Sequence, residues 1–186
     1  DKLRTTAEAH HRVAVVEIMG RHSNIILIVE NKDTWYTMKR MMQDGLSVLG
    51  YSIKTVIYGE GRKIESSLES IYSIECKHLL NETTRVLYFG DIDAEGISIL
   101  TNLQERYKNL KIEPFYAGYH VLLNHLEYVR DKDDVTSKID IDKLNIPIVL
   151  NELDSSELAI IQSLLRKYQI LPQEILNNER LRTYDR

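Results

Sequence analysis

Short apolar segments, separated by segments of helical periodicity, constrain the fold of this chain more than any other feature. "NIILIVE" (24–30) is continuously apolar until a closing acid. "SIKTVIYGEG" (52–61), "TRVLYFGDID" (84–93) and "KIEPFYAGY" (111–119) follow at intervals along the chain. Continuous apolar runs of this length are typical of strands buried on both faces of a parallel sheet.

The segments between these runs predict helices. In "NKDTWYTMKRMMQDG" (31–45), Asp33 or Thr34 could cap a helix that Gly45 ends. Apolar residues recur at roughly helical spacing in the next two segments, at Ile64, Leu68, Ile71, Ile74 and Leu79 and then at Ile97, Leu100 and Leu103. The order β-α-β-α-β-α-β predicts an α/β fold of Rossmann type. We expect a mostly parallel central sheet of about four strands, flanked by helices and joined by right-handed crossovers.

The length of 186 residues fits one ordinary domain with a small appendage. We predict a charged lead-in over residues 1–22, which reads as a piece of a longer protein, and a main domain over residues 23–150. Residues 151–186 form a C-terminal helical extension in this interpretation, with a helix over 155–168.

The composition excludes some classes of protein. With 28 acidic and 24 basic side chains, the net charge of −4 argues against coating nucleic acid by bulk charge, although a local basic groove is compatible with it. The single cysteine, Cys76, rules out an internal disulfide and fits a reducing, cytoplasmic setting. No apolar run approaches the roughly 18 residues of a membrane span.

Acidic residues stand where the predicted strands end. Glu30 closes the first strand, and Asp91 and Asp93 follow the third strand after Gly90. Residues i and i+2 of an extended segment point the same way, so the two aspartates should present carboxylates on one side. Ligands bind beyond the carboxyl ends of the strands in open α/β sheets. We therefore expect Glu30, Asp91 and Asp93 to converge.

Three converging carboxylates would raise one another's pKa unless a cation sat between them. Mg²⁺ prefers oxygen ligands and is commonly held by one or two carboxylates plus a substrate phosphate. The chain contains its own comparison, because Asp140 and Asp142 have the same spacing in "SKIDIDKLN". No long apolar run precedes that second pair, so we predict that it lies on the solvated surface.

Other polar residues have weaker signals. Arg62 and Lys63 follow the second strand in "GEGRK" and could hold a DNA backbone beside the metal, or else begin a solvated helix. Gln173 and Glu174 fall at the start of the last helix, and the sequence alone places them on the surface.

These motifs resemble a known family. An apolar strand ending in Glu, followed later by a strand ending in DxD and Gly, is similar to the Toprim domain of topoisomerases, bacterial-type primases and several nucleases. The segments "LIVENKDTW", "VIYGEGRK", "LYFGDIDAEGISIL" and "LPQEIL" resemble the C-terminal domain of the Wadjet defence nuclease subunit JetD, which is related to type IIB topoisomerase A subunits. The likeness extends from about residue 24 to residue 179.

The resemblance implies a metal-dependent DNA endonuclease. By it, Glu30, Asp91 and Asp93 would coordinate Mg²⁺ or Mn²⁺ and cleave a phosphodiester, with Glu30 as a general base or acid. Asn31 would brace Glu30 or touch a phosphate, and the late "QE", Gln173 and Glu174, would fold back toward the site. The implied partners are double-stranded DNA, such as closed circular plasmid, the SMC-like subunits of a defence complex, and a second copy in a homodimer.

Two alternatives remain open. A catalytically silent Toprim domain would bind only DNA or a partner subunit. A phosphatase of the haloacid-dehalogenase type also uses a strand ending in DxD, with the first Asp as nucleophile. That signature usually opens the fold, whereas Asp91 follows the third predicted strand and Ala94 follows Asp93. JetD-like proteins carry a further upstream region, which this sequence does not include.

Overall fold

A five-stranded sheet forms the centre of the computed structural model, which describes residues 13–18, 23–73, 75–132 and 139–184. In spatial order its strands are β1 (Ala14–Glu17), β3 (Thr55–Tyr58), β2 (Ile25–Val29), β4 (Arg85–Phe89) and β5 (Glu113–Pro114). Strands β2 to β5 pair in parallel, and β1 pairs antiparallel to β3. The predicted α/β fold with a mostly parallel sheet is confirmed.

The pairing register places three strand ends at the same level. Val29 lies opposite both Tyr58 and Phe89, the last residues of the neighbouring strands. The residues that follow, including Glu30 and Gly90, therefore leave the sheet along one edge. This alignment is what brings residues distant in sequence into one site.

Burial on both faces explains the composition of the two central strands. Four of the five residues in β2 and four of the five in β4 are buried. Because neither face meets water, apolar side chains follow one another without alternation. The core that covers these faces comes from the helices on either side of the sheet.

Seven α-helices and several short 3-10 helices surround the sheet in the described part of the chain. The α-helices are α1 (Lys32–Gln43), α2 (Ile64–Ser67), α3 (Ala94–Arg106), α4 (Tyr116–Leu123), α5 (Ile146–Val149), α6 (Ser155–Arg166) and α7 (Asn178–Thr183). The 3-10 helices are Gly61–Lys63, Leu68–Tyr72, Lys77–Leu79, Lys108–Leu110, Leu126–Tyr128, Ile141–Lys143 and Gln173–Ile175. Among the described residues, no helix is both long enough and apolar enough to cross a membrane.

A second, two-stranded sheet connects the C-terminal segment to the main sheet. Strand β6 (Arg130–Asp131) pairs antiparallel with β7 (Gln169–Ile170). Directly after β7, Leu171 forms an isolated antiparallel bridge with Ile92, through two backbone hydrogen bonds of 3.0 and 3.1 Å. Ile92 stands between Asp91 and Asp93 in the loop of residues 90–93, called the acidic loop below. The bridge therefore joins the C-terminal segment to this loop.

Strand β1 adds a fifth strand that the sequence did not predict. Its four residues lie inside the segment predicted as a lead-in, yet they pair with β3 along its whole length. The rest of that lead-in, residues 1–12 and 19–22, lies outside the described residues, and the predicted domain boundaries stay predictions.

Three predicted elements differ from the structure in detail. The fourth strand is only two residues long, because the chain turns at Phe115 into α4. The helix predicted over Ile64 to Leu79 is divided into α2 and two 3-10 helices, and Ile74 of that prediction lies outside the described residues. Ser66 and Ser70 hydroxyls there donate to backbone carbonyls three residues back, a competition that weakens regular helix. Helix α1 is capped by Asn31, not by Asp33 or Thr34.

Candidate functional site

Glu30 lies at the carboxyl edge of the sheet. Its backbone N–H donates to the carbonyl oxygen of Phe89 at 3.0 Å and continues the β2–β4 ladder past the last paired residue. Tyr88, fully buried in β4, donates its hydroxyl to Oε2 of the same glutamate at 2.8 Å. The carboxylate is thereby held at the sheet edge beside Gly90.

The environment of Glu30 disfavours its charged form. Burial first, and then the negative charge of Asp91, raise the pKa of Glu30 to about 8, although the hydrogen bond from Tyr88 opposes that shift. A buried carboxyl group has a raised pKa when a second acid lies nearby and no positive charge offsets the two.

Asp91 follows Gly90 and turns toward the C-terminal segment. Its Oδ1 accepts the backbone N–H of Gln173 at 2.7 Å. Burial raises the pKa of Asp91 to about 7, with the charges of Glu174 and Asp93 adding to it, while the hydrogen bond from Gln173 acts in the opposite direction.

Asp93 is the most enclosed of the three acids, at 3% exposure. It is the N-cap of α3, and its Oδ1 accepts the backbone N–H of Gly96 at 2.7 Å. Its Oδ2 lies 2.5 Å from the ammonium of Lys132. Asp91 and Asp93 are near enough for their charges to interact, but their carboxylates have different partners.

Gly96 permits the sharp turn that joins the two aspartates to the helix. A β carbon at this position would lie closer than 3.0 Å to the backbone carbonyl oxygen of Asp91. Since backbone cannot move aside as a flexible side chain can, only glycine fits here.

Asn31 connects the start of α1 to the C-terminal segment. Its Oδ1 accepts the backbone N–H groups of Asp33 and Thr34, at 2.8 and 3.2 Å. Its Nδ2 donates to Oε1 of Glu174 at 2.6 Å. Asn31 therefore caps a helix and braces Glu174, and its expected contact with a DNA phosphate stays a prediction.

Gln173 and Glu174 lie at the site and not on the surface, where the sequence alone placed them. Gln173 is completely buried, and both polar atoms of its side chain lack a hydrogen-bond partner among the described residues. Oε2 of Glu174 is also buried and has no hydrogen-bond partner in the described part of the chain. The backbone N–H of Gln173 thus lies against Asp91, and a role of Gln173 and Glu174 in binding metal or DNA stays a prediction.

Arg62 and Lys63 lie in the 3-10 helix that follows β3, at the same edge of the sheet. Arg62 contacts Glu95 at 3.2 Å and Glu65 at 3.0 Å, and Lys63 contacts Glu60 at 2.5 Å. Glu95 lies in the first turn of α3, directly after the acidic loop. Through its contact with Glu95, Arg62 is therefore a neighbour of that loop. Both basic side chains are exposed.

Lys132 is a site residue that the sequence did not identify. Its ammonium contacts Oδ2 of Asp93 and, at 3.2 Å, Oε2 of Glu95. Lys132 lies in a charged segment with no periodicity or motif, so no local signal could have singled it out. Only the pairing of β6 with β7 brings it to the acids.

The second DxD pair has a different setting. Asp140 and Asp142 are exposed, and Asp140 pairs with Lys143 at 3.2 Å within the same short turn. This agrees with the predicted surface position. The pair serves as an internal control for experiments on Asp91 and Asp93.

The donor chemistry of the site suits a hard divalent cation. Glu30 and Asp91 supply carboxylate oxygens with raised pKa values, and the unpartnered side-chain oxygens of Gln173 and Glu174 lie on the neighbouring segment. Among the described residues, however, no three His, Cys, Asp or Glu side chains already stand together as a metal-binding set. Both oxygens of Asp93 have partners, because Oδ1 accepts the backbone N–H of Gly96 and Oδ2 contacts the ammonium of Lys132.

Comparisons with known proteins point to one family over nearly the whole chain. The profile of the family described as Wadjet protein JetD, C-terminal, matches residues 3–184. A 101-residue stretch, 52% of the chain, is also 30% identical to pyrophosphate–fructose 6-phosphate 1-phosphotransferases from Amycolatopsis methanolica and Amycolatopsis mediterranei strain S699. The match spans 27% of each of those two proteins, about a quarter of their length.

Proposed function

Because this chain belongs to the family of the JetD C-terminal domain, we propose that it is a Toprim-type, metal-dependent DNA endonuclease domain of a Wadjet-like defence system. The observation that carries the proposal is that Glu30 follows β2 while Asp91 and Asp93 follow β4, the adjacent parallel strand, so that the charges of both aspartates act on Glu30. The raised pKa values of Glu30 and Asp91 support a cation as the missing partner of these acids.

The proposed ligands of Mg²⁺ or Mn²⁺ are Glu30, Asp91 and Asp93. When bound, such an ion polarises a phosphoryl oxygen and lowers the pKa of a water molecule that it holds. Glu30 is also the proposed general acid or base, and the hydroxyl of Tyr88, which donates to Oε2, orients its carboxylate.

The proposed DNA contacts lie beside the acids. Arg62 and Lys63 are exposed at the end of β3 and supply positive charge to an otherwise acidic edge. Contacts from such side chains to phosphates position a duplex without reading its sequence. In the intact system we expect double-stranded DNA such as closed circular plasmid as substrate, SMC-like subunits as partners, and a homodimer as the form that cuts both strands.

Cleavage of supercoiled plasmid tests this proposal directly. Wild-type protein is incubated with plasmid in Mn²⁺ or Mg²⁺, beside Asp91→Asn and the matched control Asp140→Asn. Asparagine at position 91 keeps an acceptor for the Gln173 N–H and removes the charge that a metal needs. We expect nicked and linear DNA from the wild type and from Asp140→Asn, and none from Asp91→Asn.

Two other results would redirect the proposal. Equal cleavage by wild type and Asp91→Asn would place the activity elsewhere or in a contaminant. DNA binding by the wild type without cleavage, also after addition of the upstream region and partner subunits, would favour the silent domain. The matched stretch covers only about a quarter of the length of the two pyrophosphate–fructose 6-phosphate 1-phosphotransferases, so we do not propose their activity for this chain.

A further inference from the structure

The ammonium of Lys132 contacts the oxygen of Asp93 that would otherwise be available to bind a metal ion. It lies 2.5 Å from Oδ2, and the Asp93 side chain is only 5% exposed. The other oxygen, Oδ1, is taken by the backbone N–H of Gly96. Both oxygens of Asp93 are therefore in use, and Oδ2 is the one that side-chain motion alone can release.

The backbone of Lys132 is anchored while its side chain has a second partner. Its N–H donates to the carbonyl oxygen of Tyr168 at 3.0 Å, next to the β6–β7 pairing. The strand after Tyr168 leads to Leu171, which is bridged to Ile92 in the acidic loop. A rotation of the lysine side chain can thus exchange its partner without moving the chain around it.

Glu95 is that second partner, and it is shared with another cation. Lys132 contacts Oε2 of Glu95 at 3.2 Å, and Arg62 contacts Oε1 at 3.2 Å. The Glu95 and Arg62 side chains are 35% and 41% exposed, compared with 5% for Asp93. A lysine that leaves Asp93 is therefore retained at the outer rim of the site, beside Arg62.

We propose that Lys132 neutralises Asp93 until a divalent cation replaces it, and that its ammonium, retained by Glu95, then binds a phosphate oxygen of the DNA. Lys132 is thereby a substrate-binding residue whose contribution to DNA binding depends on the metal. The inference rests on the proposed function, because it takes Asp93 as a metal ligand and DNA as the substrate.

The first test measures Mn²⁺ affinity without DNA, from the electron paramagnetic resonance signal of free Mn²⁺. We expect Lys132→Met to bind Mn²⁺ about tenfold more tightly than the wild type, because the competing cation is gone. Arg62→Met is the matched control, since it removes an equal charge from Glu95 but not from Asp93, and it should change the affinity much less. Lys143→Met, at the second DxD pair, should change nothing.

The second test measures binding of a DNA duplex, once in EDTA and once in Ca²⁺, by fluorescence anisotropy. Lys132→Met should match the wild type in EDTA, where the wild-type ammonium is held by Asp93. In Ca²⁺ it should bind DNA several-fold more weakly than the wild type. Arg62→Met should weaken DNA binding in both conditions, because its partner does not change with the metal.

The outcomes separate this inference from the proposed function. If Asp91→Asn abolishes Mn²⁺ binding but Lys132→Met shifts it no more than Arg62→Met does, the metal site stands and the role of Lys132 is overturned. An equal loss of DNA binding by Lys132→Met in EDTA and in Ca²⁺ overturns it as well. If the wild type binds no Mn²⁺, both proposals fail. Lys132→Gln, which keeps a polar side chain, repeats the tests should Lys132→Met not fold.

Discussion

The carboxylate of Glu30 lies directly against Gly90. A β carbon on Gly90 would be closer than 3.0 Å to Oε2 of Glu30 and to the hydroxyl of Tyr88. A side chain at position 90 would therefore occupy the space in which Tyr88 and Glu30 form their hydrogen bond. The glycine is part of the site because it leaves room for the acid.

Gly90→Ala should displace the Glu30 carboxylate from Tyr88. We expect a loss of about 1–3 kcal/mol in the free energy of unfolding, as for other overpacked positions, together with at least a tenfold loss of Mn²⁺ affinity. Gly45→Ala is the control, since Gly45 has a φ of +79° and no atom near its missing β carbon. That control should lose stability through its backbone but keep its metal affinity. Unchanged Mn²⁺ binding in Gly90→Ala would separate Glu30 from the metal.

The metal-free protein should lose stability as the pH rises. The pKa of Glu30 is raised from 4.5 to about 8, and that of Asp91 from 3.8 to about 7, so the folded state binds more protons than the unfolded state in this range. The stabilisation is complete below about pH 4 and is lost as the pH passes through 7 and 8. We expect a loss on the order of 4–6 kcal/mol between pH 5 and pH 8, measured by urea unfolding in EDTA.

Glu30→Gln should reduce the slope of that pH dependence, because the neutral side chain cannot release a proton, while Asp91 still contributes its part. Glu82→Gln, at an exposed position, is the control and should keep the wild-type slope. A stability that rises with pH in the wild type, or an unchanged slope in Glu30→Gln, would contradict the raised pKa of Glu30.

Two substitutions at Asp91 should differ in sign at pH 8 without metal. Asp91→Asn removes a repulsive charge and keeps an acceptor for the Gln173 N–H, so we expect it to be about 1 kcal/mol more stable than the wild type. Asp91→Ala leaves that N–H without its partner and should be less stable than Asp91→Asn by about 1–3 kcal/mol. Equal stability of the two variants would show that the bond to Gln173 contributes nothing.

Asn31→Asp should weaken the attachment of the C-terminal segment while leaving α1 capped. Aspartate retains the oxygen that accepts the N–H groups of Asp33 and Thr34, but it replaces the donor to Glu174 with a second acceptor. We expect a loss of about 1–2 kcal/mol at pH 8 and unchanged helix content by circular dichroism. Asn31→Ser, which caps without the charge, should lose less. A larger loss in Asn31→Ser would assign the effect to capping alone.

The sequence predicted the parts of the fold that depend on local pattern. The buried strands that lead to Glu30 and Asp91 are visible as apolar runs, because a strand covered on both faces needs no polar alternation. Strand β1 was missed because four residues at the edge of the sheet carry too little pattern to stand out from a charged segment.

The remainder of the site depends on contacts between distant residues. Nothing near Gln173 indicates that its N–H meets Asp91, and nothing near Lys132 indicates that its ammonium meets Asp93. Both contacts follow from the pairing of β6 with β7 and from the bridge between Ile92 and Leu171. Local propensity has no information about such pairings, whereas the family resemblance implied that Gln173 and Glu174 fold back toward the acids.

The bond between Asp91 and Gln173 also sets an order of events during synthesis. The two residues are 82 positions apart, so the ribosome releases the whole intervening chain before the bond can form. Closing a loop of that length is entropically costly and slow compared with forming a helix. During translation the acidic loop therefore emerges long before the segment that fixes it, and a nascent chain interrupted in between carries the aspartates without the segment that holds Asp91 in place.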